Sequence, residues 1–187
     1  MTAALGTDIA IELIDADLRK PRIHRIIKTK NVRGLTSVVL GERKATEVIH
    51  TVADVTNLEV ITTGPLPPNP PELFGKLTFK GLLDEARKQY DWILIDTPPL
   101  NMDDTPAARK DAEAVIAESR ANGATFCFPH HSSAEQLVNK NRQTMDRLPD
   151  YLKMIRDHEM IPGLSTHMPE SVIYADAQGA DVETYIQ

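Results

Sequence analysis

Glu12-Leu13-Ile14-Asp15-Ala16-Asp17-Leu18-Arg19-Lys20-Pro21 and Trp92-Ile93-Leu94-Ile95-Asp96-Thr97-Pro98-Pro99 are two short apolar runs that each close on an aspartate. Runs this short, rich in isoleucine and bounded by charge and proline, read as buried parallel strands. Open parallel sheets bind ligands outside the carboxyl ends of their strands, which places Asp15 and Asp96 at one expected crevice. Carboxylates gathered there suit Mg²⁺ held against nucleotide phosphates. A phosphate cradle of the form G-x-x-x-x-G-K-[ST] belongs before the first strand, and residues 1–11 do not supply one.

Outward from these runs the pattern alternates strand and helix, which predicts an α/β fold with a mostly parallel sheet and flanking helices. Strands are expected over Ile9–Ile14, Leu58–Thr62, Trp92–Ile95, Ala124–Phe128, Ile161–Ser165 and Val182–Ile186. Helices are expected over Ile23–Lys28, Lys44–Val52, Glu72–Tyr90, Pro106–Asn122, Lys140–His158 and Pro169–Gln178. Asn122-Gly123 is a natural helix stop, because glycine takes the left-handed conformation cheaply. Pro149 is expected to kink or divide the helix it falls in. Gly64-Pro-Leu-Pro-Pro-Asn-Pro-Pro71 reads as a stiff loop between strand and helix, with a proline-rich partner ligand as the alternative. Composition shifts near Asn101–Thr105, so the chain is read as two segments, 1–102 and 103–187, which share one sheet in one version of the reading.

The chain has 187 residues, a hydrophobic content of 41% and a net charge of −6, which suits a globular protein and argues against nucleic-acid or polybasic membrane binding. The N-terminal residues lack a basic region followed by an apolar core, no apolar stretch is long enough to span a bilayer, and a cytoplasmic location is expected. Cys127 is the single cysteine and reads as a small buried hydrophobe in a reducing compartment. Trp92, which opens a strand, reads as a packing residue.

Residues 13–102 resemble the cytoplasmic catalytic domain of the bacterial tyrosine kinases of capsular and exopolysaccharide biosynthesis. Leu13-Ile14-Asp15-Ala16-Asp17-Leu18-Arg19 matches that family's second Walker-type motif, an apolar triplet before D-x-D-x-R. Ile93-Leu94-Ile95-Asp96-Thr97-Pro98-Pro99 matches its Walker B motif, preceded by Tyr90-Asp91. Gly34-Leu35-Thr36, the Gly41 turn and the stretch from Gly64 to Leu73 follow the family's habit in the same order. The resemblance implies Mg²⁺ and ATP as cofactors, Asp96 and Asp15 at the metal, and Asp15 and Asp17 as catalytic residues near the attacking tyrosine hydroxyl. It implies Arg19 as a nucleotide-binding residue. The Walker A loop, the tyrosine-rich tail and the arginine-containing ring-forming helix of the family are not found, and the pattern stops after Leu100-Asn101-Met102. The family's fold is a P-loop α/β sheet. An Asp after an apolar strand is also a common helix cap, which is the bland reading of either motif alone.

The second segment reads helix–strand–helix–strand–helix–strand, with Asp103 or Asp104 capping its first helix. Its strands end in Pro129-His130-His131 and Thr166-His167, followed by Glu170. The pattern resembles a fragment of a (β/α)₈ barrel, where chemistry gathers at the carboxyl ends of the strands. His130, His131, His167 and Glu170 are candidate ligands for Zn²⁺ or Mn²⁺, against the alternative of solvated loop histidines. His24, His50 and His158 fall in helix-like contexts. The cluster Arg19, Lys20, Arg22, Arg25 and Lys28 reads as a phosphate contact or a solvated helix face.

Three functional readings follow. The first is a truncated or recombined tyrosine-kinase-like domain that binds nucleotide and is inactive alone. The second is a metal-dependent hydrolase or lyase that uses the histidines. The third is a non-catalytic module whose unpaired sheet edge recruits a protein partner or a second copy to complete the sheet.

Overall fold

The run that ends at Asp15 forms a central strand, because Ile14 and its neighbours are buried between paired strands on both sides. The computed structural model describes residues 9–53, 55–66, 77–98 and 105–186. The chain divides into two compact units, Met1–Pro98 and Pro99–Gln187.

In the first unit, strand β1 (Ile11–Asp15) leads to a short helix α1 (Ile23–Ile26) and then to α2 (Leu35–Val39). Strands β2 (Ile49–Thr51) and β3 (Leu58–Ile61) follow, then helix α3 (Leu77–Ala86) and strand β4 (Trp92–Asp96). The sheet order is β2-β3-β1-β4. β1 is parallel to both β3 and β4, while β2 runs antiparallel to β3 at one edge. Ile14, Leu18, Leu35, Val39, Val48, Ile61, Phe79 and Leu83 make the core.

Two expectations for this unit are corrected. The helix expected over Lys44–Val52 is a single 3₁₀ turn, Ala45–Glu47, followed by β2. Its β-branched residues gain more by pairing with β3 and burying Val48 than by helical packing. This also puts His50 on a strand. Strand β4, read as buried, exposes Trp92 (48%), Leu94 (47%) and Ile95 (37%), because it is an edge of the sheet. Trp92 is therefore only half packed. Residues 67–71 of the proline-rich loop and the start of the helix expected from Glu72 lie outside the described residues.

The second unit opens with α4 (Pro106–Ala121), whose cap is Thr105, with its hydroxyl accepting from the Ala108 amide at 3.1 Å. Asp103 and Asp104, expected as caps, lie outside the described residues. Gly123, at φ 85°, ends the helix as expected. Next come β5 (Phe126–Cys127), α5 (His131–Ala134), β6 (Val138–Asn139), β7 (Thr144–Met145), α6 (Leu148–Asp157), β8 (Ile161–Ser165), α7 (Pro169–Ala177) and β9 (Thr184–Ile186). β5, β8 and β9 form a parallel three-stranded sheet with β8 in the middle. Leu148, Tyr151, Leu152, Leu164 and Ala175 are buried around it.

The helix expected over Lys140–His158 is corrected to a β6–β7 hairpin followed by the shorter α6. Asn139 and Thr144 donate to the Asp146 carboxylate at 2.8 and 2.7 Å, which competes with helix formation. Arg147, at φ 66°, then turns the chain into α6. Pro149 sits in the first turn of α6, where its missing N–H costs nothing, so it starts the helix and does not kink it. His158 caps the end of α6.

Candidate functional site

Asp15 and Asp96 end the adjacent strands β1 and β4 in direct register. The Ala16 amide donates to the Asp96 carbonyl at 2.8 Å, which holds the two strand ends together. Asp15 is fully buried. Its carboxylate accepts from the Asp17 and Ile23 amides, each at 3.3 Å. Burial pushes the Asp15 carboxyl above the usual carboxylate range, against the pull of the Thr63 hydroxyl and these two amides. Asp96 is pushed up as well, first by burial and then by the charges of Asp15 and Asp17. Both shifts mark a cluster short of positive charge.

Asp17 has a local role of its own. Its Oδ1 accepts from the Arg19 and Lys20 amides at 3.0 Å, a side-chain turn that lets the chain leave the strand. Arg19 and Lys20 are exposed.

The crevice is walled by the end of β3 and the start of α2. The Leu35 and Thr36 amides donate to the Thr62 and Thr63 carbonyls at 2.8 and 3.0 Å. Gly34 makes this contact feasible, since a Cβ there would fall 2.0 Å from the Thr62 oxygen. The Asn31 side chain pairs with the backbone of Gly64, accepting its N–H at 2.7 Å and donating to its carbonyl at 3.1 Å. The Thr36 hydroxyl is buried and has no hydrogen-bond partner among the described residues. Thr62, Thr63 and Asn31 were not singled out in the sequence. Their signal was the polar Thr-Thr-Gly that follows the apolar Leu58–Ile61.

A second acidic group lies lower on the same strands. Glu12 is buried, stands in register with Glu59 on β3, and has an unpartnered Oε2. Burial, and then the Glu59 charge, push its carboxyl up to about 7. The Tyr90 hydroxyl donates to Glu59, and burial followed by this bond raises the phenol well above its ordinary value.

In the second unit, three imidazoles gather beyond β5 and β8. Ring centroids lie 4.0 Å apart for His130–His131 and 4.2 Å for His131–His167. His130 Nδ1 accepts from the Ser132 amide at 3.2 Å and thereby caps α5. The carboxylate at this cluster is Glu135, whose Oε1 accepts from the His167 amide at 2.7 Å and from the Thr166 hydroxyl at 3.2 Å. Glu170 stands in the first turn of α7. Cys127 is partly buried, and burial pushes its thiol up to about 11, which keeps it protonated.

Among the described residues, no three His, Cys, Asp or Glu side chains are arranged to hold a metal ion by themselves. Mg²⁺ does not require such a group, since one or two carboxylates with substrate phosphates and water complete its shell. Asp15 and Asp96 offer hard oxygen donors in a pair that its own charge strains, and so fit that ion. No helix among the described residues is long and apolar enough to cross a membrane.

No protein-family model matches the chain. Among curated proteins it is 43% identical, over 133 residues, to the tyrosine-protein kinase YwqD of Bacillus subtilis (strain 168). That match covers 71% of this chain and 52% of the relative, so the chain spans about half the relative's length. It also reaches past the first unit into the second, because the first unit ends at residue 98. The solved kinase domain of the Escherichia coli tyrosine kinase ETK matches at 25% identity and a TM-score of 0.60, covering 86% of this chain and 56% of that one. The crystal structure of the chimerical protein CapA2B2 matches at 26% identity and a TM-score of 0.56, covering 94% of this chain and 61% of that one. Over part of its length the chain is similar to bacterial tyrosine-protein kinases, and it shares their α/β fold.

Proposed function

We propose that the first unit is a Mg²⁺–nucleotide-binding domain derived from a bacterial tyrosine kinase, with Asp15 and Asp96 at the metal and Asp17 beside them. The observation that carries this reading is the register of Asp15 and Asp96 at the carboxyl ends of neighbouring parallel strands. Similarity to named tyrosine kinases supports it. When bound, Mg²⁺ neutralises charge on the transferring phosphoryl group. Asp15 and Asp96 would hold the ion, and Asp17 would take the proton of the incoming tyrosine hydroxyl. Arg19, exposed beside them, would meet a nucleotide phosphate.

Phosphoryl transfer depends on positioning more than on covalent help, so activity in this reading requires a phosphate cradle, which residues 1–11 do not contain. The natural role in this reading is control of exopolysaccharide assembly at the cytoplasmic side. The exposed edge strand β4 is where a protein partner or second copy would complete the sheet.

Calorimetric titration of the chain with Mg²⁺–ADP tests this reading. Saturable binding that disappears in Asp96→Ala supports it. No binding by the original chain overturns nucleotide recognition in this chain alone.

A further inference from the structure

A cleft of ≈ 500 Å³ opens in the first unit, lined by the loop after α1, the turn after α2, and β2. Its volume falls within the range of small-molecule sites. Lys30, Arg33 and Arg43 line it, with Glu42 as its one acidic residue. In a chain of net charge −6, three cations meeting from two segments are not explained by composition.

These cations are poorly neutralised. Among the described residues, no carboxylate forms an ion pair with Lys30 or Arg33. Arg43 reaches Glu47 at 3.6 Å on the surface, a contact of little net energy. Ser37, nearly buried, and His50 complete the lining. The Nε2 of His50 is buried without a partner. Burial and the Arg33 charge hold the imidazole below its ordinary value, which favours its neutral form beside the cations.

The walls are fixed before any ligand arrives. Lys28, at φ 55°, turns the chain out of α1, and the Thr29 hydroxyl meets His50 Nδ1 at 3.5 Å. Asn31 ties the same loop to Gly64 through its paired bonds. Across the cleft, the Ser37 carbonyl accepts from the Glu42 and Arg43 amides at 2.9 and 3.2 Å, a turn that Gly41 permits at φ 78°. Arg43 is thus carried back over Ser37.

We propose that this cleft binds a small phosphorylated ligand, with Arg33 and Lys30 on the phosphate oxygens, Arg43 closing over them, and Ser37 and His50 as neutral partners. Guanidinium forks match phosphate geometry in two parallel hydrogen bonds, which favours phosphate over a simple halide. The cleft draws on β2, at the opposite edge of the sheet from β4, and its lining includes neither Asp15 nor Asp96.

The test is calorimetry of the full chain with inorganic pyrophosphate in the absence of Mg²⁺, alongside NMR of the His50 imidazole. Saturable binding is expected, weakened roughly tenfold or more by Arg33→Ala, partly regained in Arg33→Lys, and unchanged in Asp96→Ala. The bound anion should also raise the His50 titration midpoint. Arg33 serves the fold through its backbone carbonyl, which accepts from the Thr62 hydroxyl, so the alanine variant should keep its circular dichroism. Absence of saturable pyrophosphate binding at millimolar ligand overturns the proposal. So does binding that Arg33→Ala leaves intact or that Asp96→Ala removes. Repeating the titration with AMP separates a nucleotide monophosphate from free phosphate as the source of the recognised group.

Discussion

Asp15 and Asp96 stand side by side in register at the ends of β1 and β4, and both carboxyls sit above the usual range. The arrangement is strained when ionised, and in the proposed reading a divalent ion relieves it. A carboxyl whose pKa is raised on folding lends its stability below the unfolded value of 3.8 and withdraws it as pH climbs through the folded value. Near neutrality the charge on Asp96 therefore opposes the fold. Asp96→Asn should stabilise the chain by a few tenths to about 1 kcal/mol, after allowance for solvent screening. Added Mg²⁺ should raise the melting temperature of the original chain and leave that of Asp96→Asn unmoved. Thermal melts with and without the ion check both halves of this expectation, and a destabilised Asp96→Asn would contradict it.

Glu12 extends the same logic to the sheet interior. Its carboxyl, at about 7, is raised by burial and by Glu59, so its contribution to stability is complete below 4.5 and fades as pH rises through 7. Glu12→Gln keeps the shape and removes the charge. Above neutral pH it should stabilise the chain by about 1–2 kcal/mol and should matter little near pH 4. Urea unfolding at a series of pH values reads this directly. A parallel loss of stability with pH in both proteins would assign the slope to another group.

Gly34 and Gly81 should respond in opposite ways to alanine. At Gly34 the added methyl would meet the Thr62 carbonyl oxygen at 2.0 Å, and that backbone cannot withdraw without breaking the Leu35 and Thr36 bonds. Gly34→Ala should cost about 3 kcal/mol or more, or prevent folding of the first unit. Gly81 lies inside α3 with open space around its Cβ position. Gly81→Ala should stabilise by about 0.5–1 kcal/mol through helix propensity. Chemical denaturation of the two variants provides the comparison.

The parts of this fold that could be read from sequence are those whose pattern matches their burial. Ile161–Ser165 is a strand within its expected bounds, and Pro106 with Gly123 brackets α4 as chemistry predicts. The pairing of Asp15 with Asp96 followed from two runs that end alike. What could not be read depends on partners distant in sequence. Ile49 to Thr51 became a strand because β3 was there to pair with, and local helical spacing gave no hint of that. Asp146 gathers Asn139 and Thr144 into a hairpin where spacing alone suggested a helix. Glu135 reached the histidines from the far end of α5, one turn beyond the motif that drew notice. Glu12 lay hidden because a charged residue in an apolar run looks like an exposed position until its neighbours are placed.

The histidine cluster gives the last prediction. Burial, followed by the charges of His130 and His167, holds the His131 imidazole below its ordinary value, while Glu135 pulls weakly the other way. A base depressed on folding lends stability above its unfolded value of 6.5 and loses it as pH falls through the folded value. Acidification from about pH 8 to about pH 5 should therefore loosen the end of β5 and α5 before the rest of the second unit. The loss should stay below about 1 kcal/mol for His131, because water screens the exposed rings. His131→Gln should flatten this slope, and His130→Asn, which retains a capping acceptor, should cost no stability at pH 8. Hydrogen exchange of the Ser132–Glu135 amides at the two pH values locates the effect. Uniform exchange across the second unit at both would mean that the cluster is solvated and carries no linkage.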